Sequence, residues 1–336
     1  MAVASAHASN GGALDSVPEQ AWPLFFLIGQ PKAGTSSLFA ELRHLKAVSG
    51  ATPLEEEPVY FDKEVHFFDI DQRYSRGPGF YLQHFVATAS NRAAARATAS
   101  IFMDATPNYS NNETIPARMK ATFPVAMHPR MRFILLLREP VARLLSWYNH
   151  QRVYSFEKNT NGFYCEGVSN WTISFREYCE ASVLATPERC LDGHQSNLAS
   201  VVEKYLSLFD PGQLLTLVGD ELWTGQNAPA AKRAILDFLG VRLPPTSTWI
   251  TRTPSSAFWN DHKSPHKVRL GPRDCSLVRR LEAHYRVGQA QLFKLVTGPK
   301  RPAMQPALRP FTPMSELMNC THANLRAVVR TAPAPV

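Results

Sequence analysis

Three short stretches of the chain bring together side chains that could handle an anion and a proton. In Gly29-Gln-Pro-Lys-Ala-Gly-Thr-Ser-Ser37, two glycines bracket Lys32 and Ala33, and three hydroxyls follow. A loop between a buried strand and a helix start presents unpaired backbone N–H groups, to which the helix dipole adds partial positive charge. Gly29 and Gly34 let the backbone approach an anion closely, Lys32 adds a full charge, and Thr35, Ser36 and Ser37 add donors in the first turn. Arg138 closes a second stretch, and Ser146 lies two helical turns beyond it. A guanidinium fork and a hydroxyl could together meet one anion. The third stretch, Lys63-Glu-Val-His-Phe-Phe-Asp69, holds Glu64 and His66, either of which could take up a proton.

The elements that must position these residues follow from hydropathy. Leu24–Ile28 is a short unbroken apolar run, as expected of a buried strand, and Leu38, Phe39, Leu42 and Leu45 recur at helical spacing beyond the loop. Ile101–Ala105, Phe133–Leu137 and Leu214–Val218 are further strand candidates. Helices are expected at Gly79–Ala87, Thr114–Phe123, from Pro140 onward, and at Ser174–Ala185, Ser196–Leu208, Ala230–Leu239 and Ser276–Val296. Ser155–Trp171 is aromatic and rich in Gly and Asn, and reads as a loop over a site. Strands alternating with helices predict an α/β, P-loop-like three-layer fold with a central, mostly parallel sheet flanked by helices. The expected organisation is a polar leader over residues 1–20, one domain over 21–297 and a Pro-rich, peripheral tail over 298–336.

The spacing of Gly29 and Gly34 matches a Walker A loop, but Thr35 stands where the lysine should follow, and Lys32 precedes Gly34 by two places. A nucleoside triphosphatase also needs a carboxylate to hold Mg²⁺. Here the best strand runs into Arg138, which suits a phosphate better than a metal. A nucleotide kinase or NTPase is therefore a second reading, and a non-catalytic binder of acidic glycans a third.

The 336 residues carry 36 Lys and Arg against 28 Asp and Glu, a formal charge of +8 that favours anionic partners. Basic clusters at Arg43–Lys46 and Lys263–Arg273 read as solvated faces, and nucleic acid is not expected as a partner. Five cysteines form no C-x-x-C pair, so no zinc site is expected. Cys165, Cys179 and Cys190 are close enough in sequence for a disulfide in an oxidising compartment. Sequons at Asn108, Asn112, Asn170 and Asn319 point to a glycoprotein and a secretory route. No run reaches the roughly 18 apolar residues of a membrane span. Met1–Gln20 lacks the basic and apolar regions of a signal peptide, which points instead to the cytoplasm.

Taken jointly, the three stretches resemble the family of sulfotransferases that use 3′-phosphoadenosine 5′-phosphosulfate (PAPS), most closely the Golgi glucosaminyl N- and 3-O-sulfotransferases of heparan sulfate. Leu27–Ser37 is similar to the family's 5′-phosphosulfate loop, and Phe133–Ser146 to its 3′-phosphate element. Lys63–Asp69 resembles the segment that holds the catalytic base, and Asp104–Tyr109 and Leu215–Leu222 fit the family's order of elements. The likeness runs from about Pro23 to Val296.

The resemblance implies sulfuryl transfer from PAPS, without a metal, to a hydroxyl or amine of an acceptor, with a carbohydrate favoured. It places the donor, and the product 3′-phosphoadenosine 5′-phosphate (PAP), on Lys32, Ala33, Gly34, Thr35, Ser36, Ser37, Arg138, Ser146 and Lys263. It makes Glu64 the base, with His66 as competitor, and Lys32 the group that stabilises the leaving phosphate. Lys63, His66 and Asp69 are then expected on the acceptor side. If Glu64–His66 is extended, Glu64 and His66 share one side and Lys63 faces away. Read alone, the segment would be a strand edge with Val65, Phe67 and Phe68 in the core. One departure concerns the late loop Phe258–His266, where Asn260 stands in place of an expected cysteine. The disulfide of that loop is then not expected. Golgi residence follows only from the resemblance.

Overall fold

The computed structural model describes residues 22–54, 63–91, 101–158, 173–185, 198–223, 227–242, 264–298 and 308–320. Five parallel strands form one sheet: β1 (Phe25–Gly29), β2 (Val48–Ser49), β3 (Ile101–Asp104), β4 (Arg132–Leu137) and β5 (Leu214–Val218), in the order β2-β3-β1-β4-β5. The helices are α1 (Thr35–His44), α2 (Asp71–Tyr74), α3 (Gly77–Asn91), α4 (Thr114–Thr122), α5 (Pro140–Lys158), α6 (Phe175–Tyr178), α7 (Leu198–Leu208), α8 (Ala228–Leu239), α9 (Cys275–Val296) and α10 (Met314–Leu317).

The central strands read as unbroken apolar runs because both faces of the sheet are covered. Phe26, Ile28, Phe133 and Leu135 pack on one face with Phe123, Tyr205 and Leu292. Leu27, Ile134, Leu136 and Leu217 pack on the other with Leu38, Leu42, Ile235 and Phe238. This is the three-layer α/β arrangement expected, with every strand pair parallel.

Several expectations change. The two-residue β2 and the one-turn α2 are additions. Ser155 to Lys158 belong to α5 instead of to a loop, and residues 159–172 lie outside the description. The expected helix at Ser174–Ala185 is α6 followed by a π turn over Cys179–Val183. Cys275 pairs with Cys320 across 45 residues, a bond the sequence reading did not anticipate. Cys179 is buried, while Cys165 and Cys190 are outside the described residues. The tail is tied down between Leu308 and Cys320: Phe311 meets Phe293 edge-on at 5.4 Å, and Ser315 N–H donates to Glu282 at 2.7 Å. No helix among the described residues is long and apolar enough to cross a membrane.

Candidate active site

The turn after β1 is shaped by contacts on both sides. Gln30 N–H donates to the Leu136 carbonyl at 2.8 Å, and Ala33 N–H closes a turn onto the Gln30 carbonyl at 3.2 Å. Gly29 has φ 146°, and a β-carbon there would collide with Ser110 Oγ and lie 2.6 Å from the Pro107 carbonyl. The loop base thus rests on the turn that follows β3. Lys32 adopts a left-handed φ of 66°, and Gly34, φ 97°, caps α1 with no side-chain bond. Thr35 is buried; Ser36 and Ser37 are half-buried in the first turn, which contains no acidic residue. An anion-friendly helix start is the result.

Gly219, just beyond β5, touches the far side of the same loop. A β-carbon there would overlap the Ala33 carbonyl oxygen and lie 3.5 Å from that of Leu137. Gly219→Ala should therefore lower folding stability by about 1–3 kcal/mol, the usual cost of overpacking. Denaturant unfolding checks this; a variant as stable as its parent would show that the loop yields freely.

Arg138 donates through Nη1 to the Lys32 carbonyl at 2.9 Å. Its buried Nε has no hydrogen-bond partner, and the Asp220 carboxylate, largely exposed, is 3.7 Å away. A guanidinium held in this way still has donor capacity for an anion. Ser146 is half-buried on α5, and Lys263 lies outside the described residues. His266, from the late loop, stacks on Phe156 of α5 at 4.5 Å, and its carbonyl accepts from Arg152. Sequence reasoning missed Trp223, whose indole nitrogen is 3.5 Å from where a Gly34 β-carbon would be. It follows the short turn Gly219–Leu222 after β5, and no motif in the sequence marked it.

The Lys63–Asp69 segment is neither extended nor a strand edge. His66 has φ 53°, a turn over Phe67–Asp69 follows, and Lys63 forms an ion pair with Glu64. Lys63 would face away only from an extended segment, and the turn at His66 removes that condition. Phe67 and Phe68 anchor the segment in an aromatic cluster with Tyr81 and Tyr109. Arg73 donates to the Val65 carbonyl at 2.6 Å and Arg118 to that of Phe68 at 2.9 Å.

His66 lies between two carboxylates, with Nδ1 2.8 Å from Asp69 Oδ2 and Nε2 3.2 Å from Glu64 Oε2. Both ring nitrogens must then donate, which is the protonated form. Burial opposes that charge, but the bonds to Asp69 and Glu64 prevail and raise His66 to about 9. Burial would raise Glu64; Lys63 and His66 outweigh it and hold the carboxyl down at about 2. The site therefore presents a carboxylate and an imidazolium at neutral pH. Asp69 Oδ1 is buried with no hydrogen-bond partner, so one acceptor position remains open.

The first assembly follows β1, and the second is tied to the end of the neighbouring β3. Phe26 of β1 is in register with Asp104 of β3, and Ala105 N–H donates to the Lys63 carbonyl at 3.0 Å. A crevice at the carboxyl ends of parallel strands, beside the strand where the chain order turns, is where open α/β sheets bind ligands. Among the described residues, no group of three or more His, Cys, Asp and Glu is placed to hold a metal ion.

Comparison with known proteins gives a family and a fold. Residues 23–256 match the model of the sulfotransferase domain family. The chain is 27% identical over 220 residues to human bifunctional heparan sulfate N-deacetylase/N-sulfotransferase 2, covering 65% of this chain and 22% of that protein. It is 27% identical over 285 residues to the human N-deacetylase/N-sulfotransferase 3, covering 82% and 30%. The chain thus spans under a third of the length of these curated relatives. Among solved structures, a sulfotransferase from Alicyclobacillus acidocaldarius superposes with a TM-score of 0.52 at 22% identity, over 82% of this chain and 96% of that one. The likeness in fold is shared with a protein of that type, and the kinase-like spacing of the two loop glycines is set aside. Because the family model matches more than half of the chain, the chain belongs to the sulfotransferase domain family.

Proposed function

We propose that the enzyme moves a sulfuryl group from PAPS to a hydroxyl or amine of a saccharide, with Glu64 as general base. The observation that supports this most is the ionised Glu64, held by Lys63 and His66 beside the strand end that bears the phosphate loop. The family implies PAPS as donor, which supplies the transferable SO₃ and a phosphate leaving group. The residues present fit such an anion: a helix start free of acidic residues and a buried Arg138 Nε without a hydrogen-bond partner.

In this reading Lys32, Ala33, Gly34 and the hydroxyls of Thr35, Ser36 and Ser37 hold the donor's phosphosulfate end. Arg138 and Ser146 hold its 3′-phosphate, and Lys263 also reaches the nucleotide. Lys32 offsets negative charge as it builds on the leaving oxygen. Glu64 accepts the proton of the acceptor at a carboxylate oxygen while the acceptor oxygen or nitrogen forms its bond to sulfur. His66, kept protonated by Asp69 and Glu64, orients the carboxylate and is poorly suited to remove a proton itself. Lys63 and Asp69 contact the acceptor side, where the open Asp69 Oδ1 can receive a hydroxyl. A saccharide acceptor is favoured by similarity to the heparan sulfate enzymes and by the positive charge of the chain.

Titration calorimetry with PAP tests the donor site. Intact protein should bind, and Arg138→Ala should weaken binding by about tenfold to a hundredfold, the equivalent of one or two charge-assisted hydrogen bonds. Absence of binding by the intact protein would sink the reading. Labelled PAPS offered against panels of glycans, sterols and amines then identifies the acceptor.

A further inference from the structure

Asp104, fully buried at the end of β3, receives four donors from the described residues, none of them a cation. Thr106 gives its N–H at 3.2 Å and its hydroxyl at 2.7 Å to Oδ1. Tyr81 and Tyr109 give their hydroxyls at 3.1 and 2.8 Å to Oδ2. A carboxylate can only accept, so every hydroxyl in contact with it must point its hydrogen inward. The oxygens of Thr106 and Tyr109 are thereby left as acceptors, and both face the segment that holds Glu64. Thr106 Oγ1 accepts from His66 N–H at 3.2 Å, and the Tyr109 hydroxyl accepts from Phe67 N–H at 3.1 Å. These two N–H groups straddle the point where His66 takes its left-handed turn.

We propose that Asp104 is a positioning residue for proton transfer: by setting the direction of the Thr106 and Tyr109 hydroxyls, it fixes the backbone of His66 and Phe67 and so the placement of the His66–Glu64 pair. This rests on the reading of Glu64 as base. The carboxylate never touches substrate; its influence passes through two hydroxyls to two consecutive backbone amides. An isosteric amide could not replace it. With Nδ2 in the position of Oδ2, both tyrosine hydroxyls would receive a donor, and the Tyr109 oxygen would have to serve Nδ2 and Phe67 N–H at once, its own hydrogen left without an acceptor.

The same logic predicts a pH signature. Burial raises Asp104 to about 6 against the opposing bonds of Thr106, Tyr109 and Tyr81 and the attraction of His66. The groups facing it are His66 from the catalytic segment, Tyr81 from α3, Tyr109 from the turn after β3 and, more remotely, Tyr205 from α7. Of these only His66 carries charge near neutrality, and it stays protonated throughout this range. A protonated Asp104 must itself donate, which reverses one hydroxyl. Turnover should therefore fall as pH drops through about 6, whereas protonation of Glu64 itself lies near 2.

Asp104→Asn, Thr106→Val and Thr106→Ser, each compared with the parent, form the test. Turnover should drop by about tenfold to a hundredfold in Asp104→Asn and Thr106→Val, the usual cost of a small misplacement at a reacting centre. PAP affinity by calorimetry should stay within about twofold of the parent. Thr106→Ser, which keeps the hydroxyl, should restore turnover, and Asp104→Asn should lose the acid limb near 6. If Asp104→Asn does not fold, the valine and serine variants decide alone. Equal turnover in those two overturns the proposal, as does a loss of turnover matched by an equal loss of PAP affinity. A parent protein that binds no PAP overturns the donor reading as well, and is seen before any variant is made.

Discussion

Glu64→Gln should cut the turnover of sulfuryl transfer by about a hundredfold to ten-thousandfold while leaving PAP affinity within about twofold, because the amide keeps the shape of the site but cannot take up a proton. The residue is suited to such a test: it stands ionised down to about pH 2, so its charge is constant over the working range. His66 is not the base of the parent protein: with a carboxylate at each ring nitrogen it is already protonated below about pH 9 and has no lone pair to offer. His66→Ala should accordingly be the milder lesion, loosening Glu64 without removing the base. The measurement is single-turnover transfer of labelled sulfate to an accepted substrate. Near-parental rates in Glu64→Gln, with none in His66→Ala, would reverse the two roles.

Lys32→Gly should separate activity from stability. Loss of the ammonium proposed to stabilise the leaving oxygen should slow turnover by about a hundredfold to a thousandfold, as for removal of a single preorganised charge stabiliser. Yet φ at this position is 66°, a conformation that costs a residue with a β-carbon about 1–2 kcal/mol. Glycine adopts it without strain, and its greater freedom in the unfolded chain takes back about 0.5–1 kcal/mol. Thermal unfolding should therefore show a variant at least as stable as the parent and nearly inactive. Lys32→Ala, equally uncharged but still strained, should be equally slow and melt lower. A Lys32→Gly protein with full activity would mean that the loop's backbone and hydroxyls suffice alone.

The placement of the phosphate loop was legible because three local signals agree there: an apolar strand, glycines at the two tight points, and hydroxyls opening a helix. Arg138 was legible for the same reason, at the end of the most apolar strand. The shape of the Lys63–Asp69 segment was not. Its alternating pattern reads as extended, but the turn at His66 is imposed by hydroxyls from residues 40 and more positions away, which no local pattern encodes. Nor does a two-residue strand such as β2 hold a period to detect; it forms because Val48 and Ser49 fall in register with Ile101 and Phe102. The partner of Cys275 depends on how the tail folds back, and a count of cysteines contains no such information. Asp104 looked like one more strand-end residue until the four donors around it were in view.

The abutment of Gly219 against the Ala33 carbonyl also bears on how the chain can be recombined with its relatives. The two residues are far apart in sequence but form the two halves of one mould. A chimera that exchanges the loop but keeps the parental end of β5, or the reverse, joins surfaces that were never fitted to each other. Crossovers that move residues 29–37 and 214–223 together respect that fit. The modular unit of this enzyme is therefore a loop with its distant backing, not the contiguous motif by which the loop is recognised.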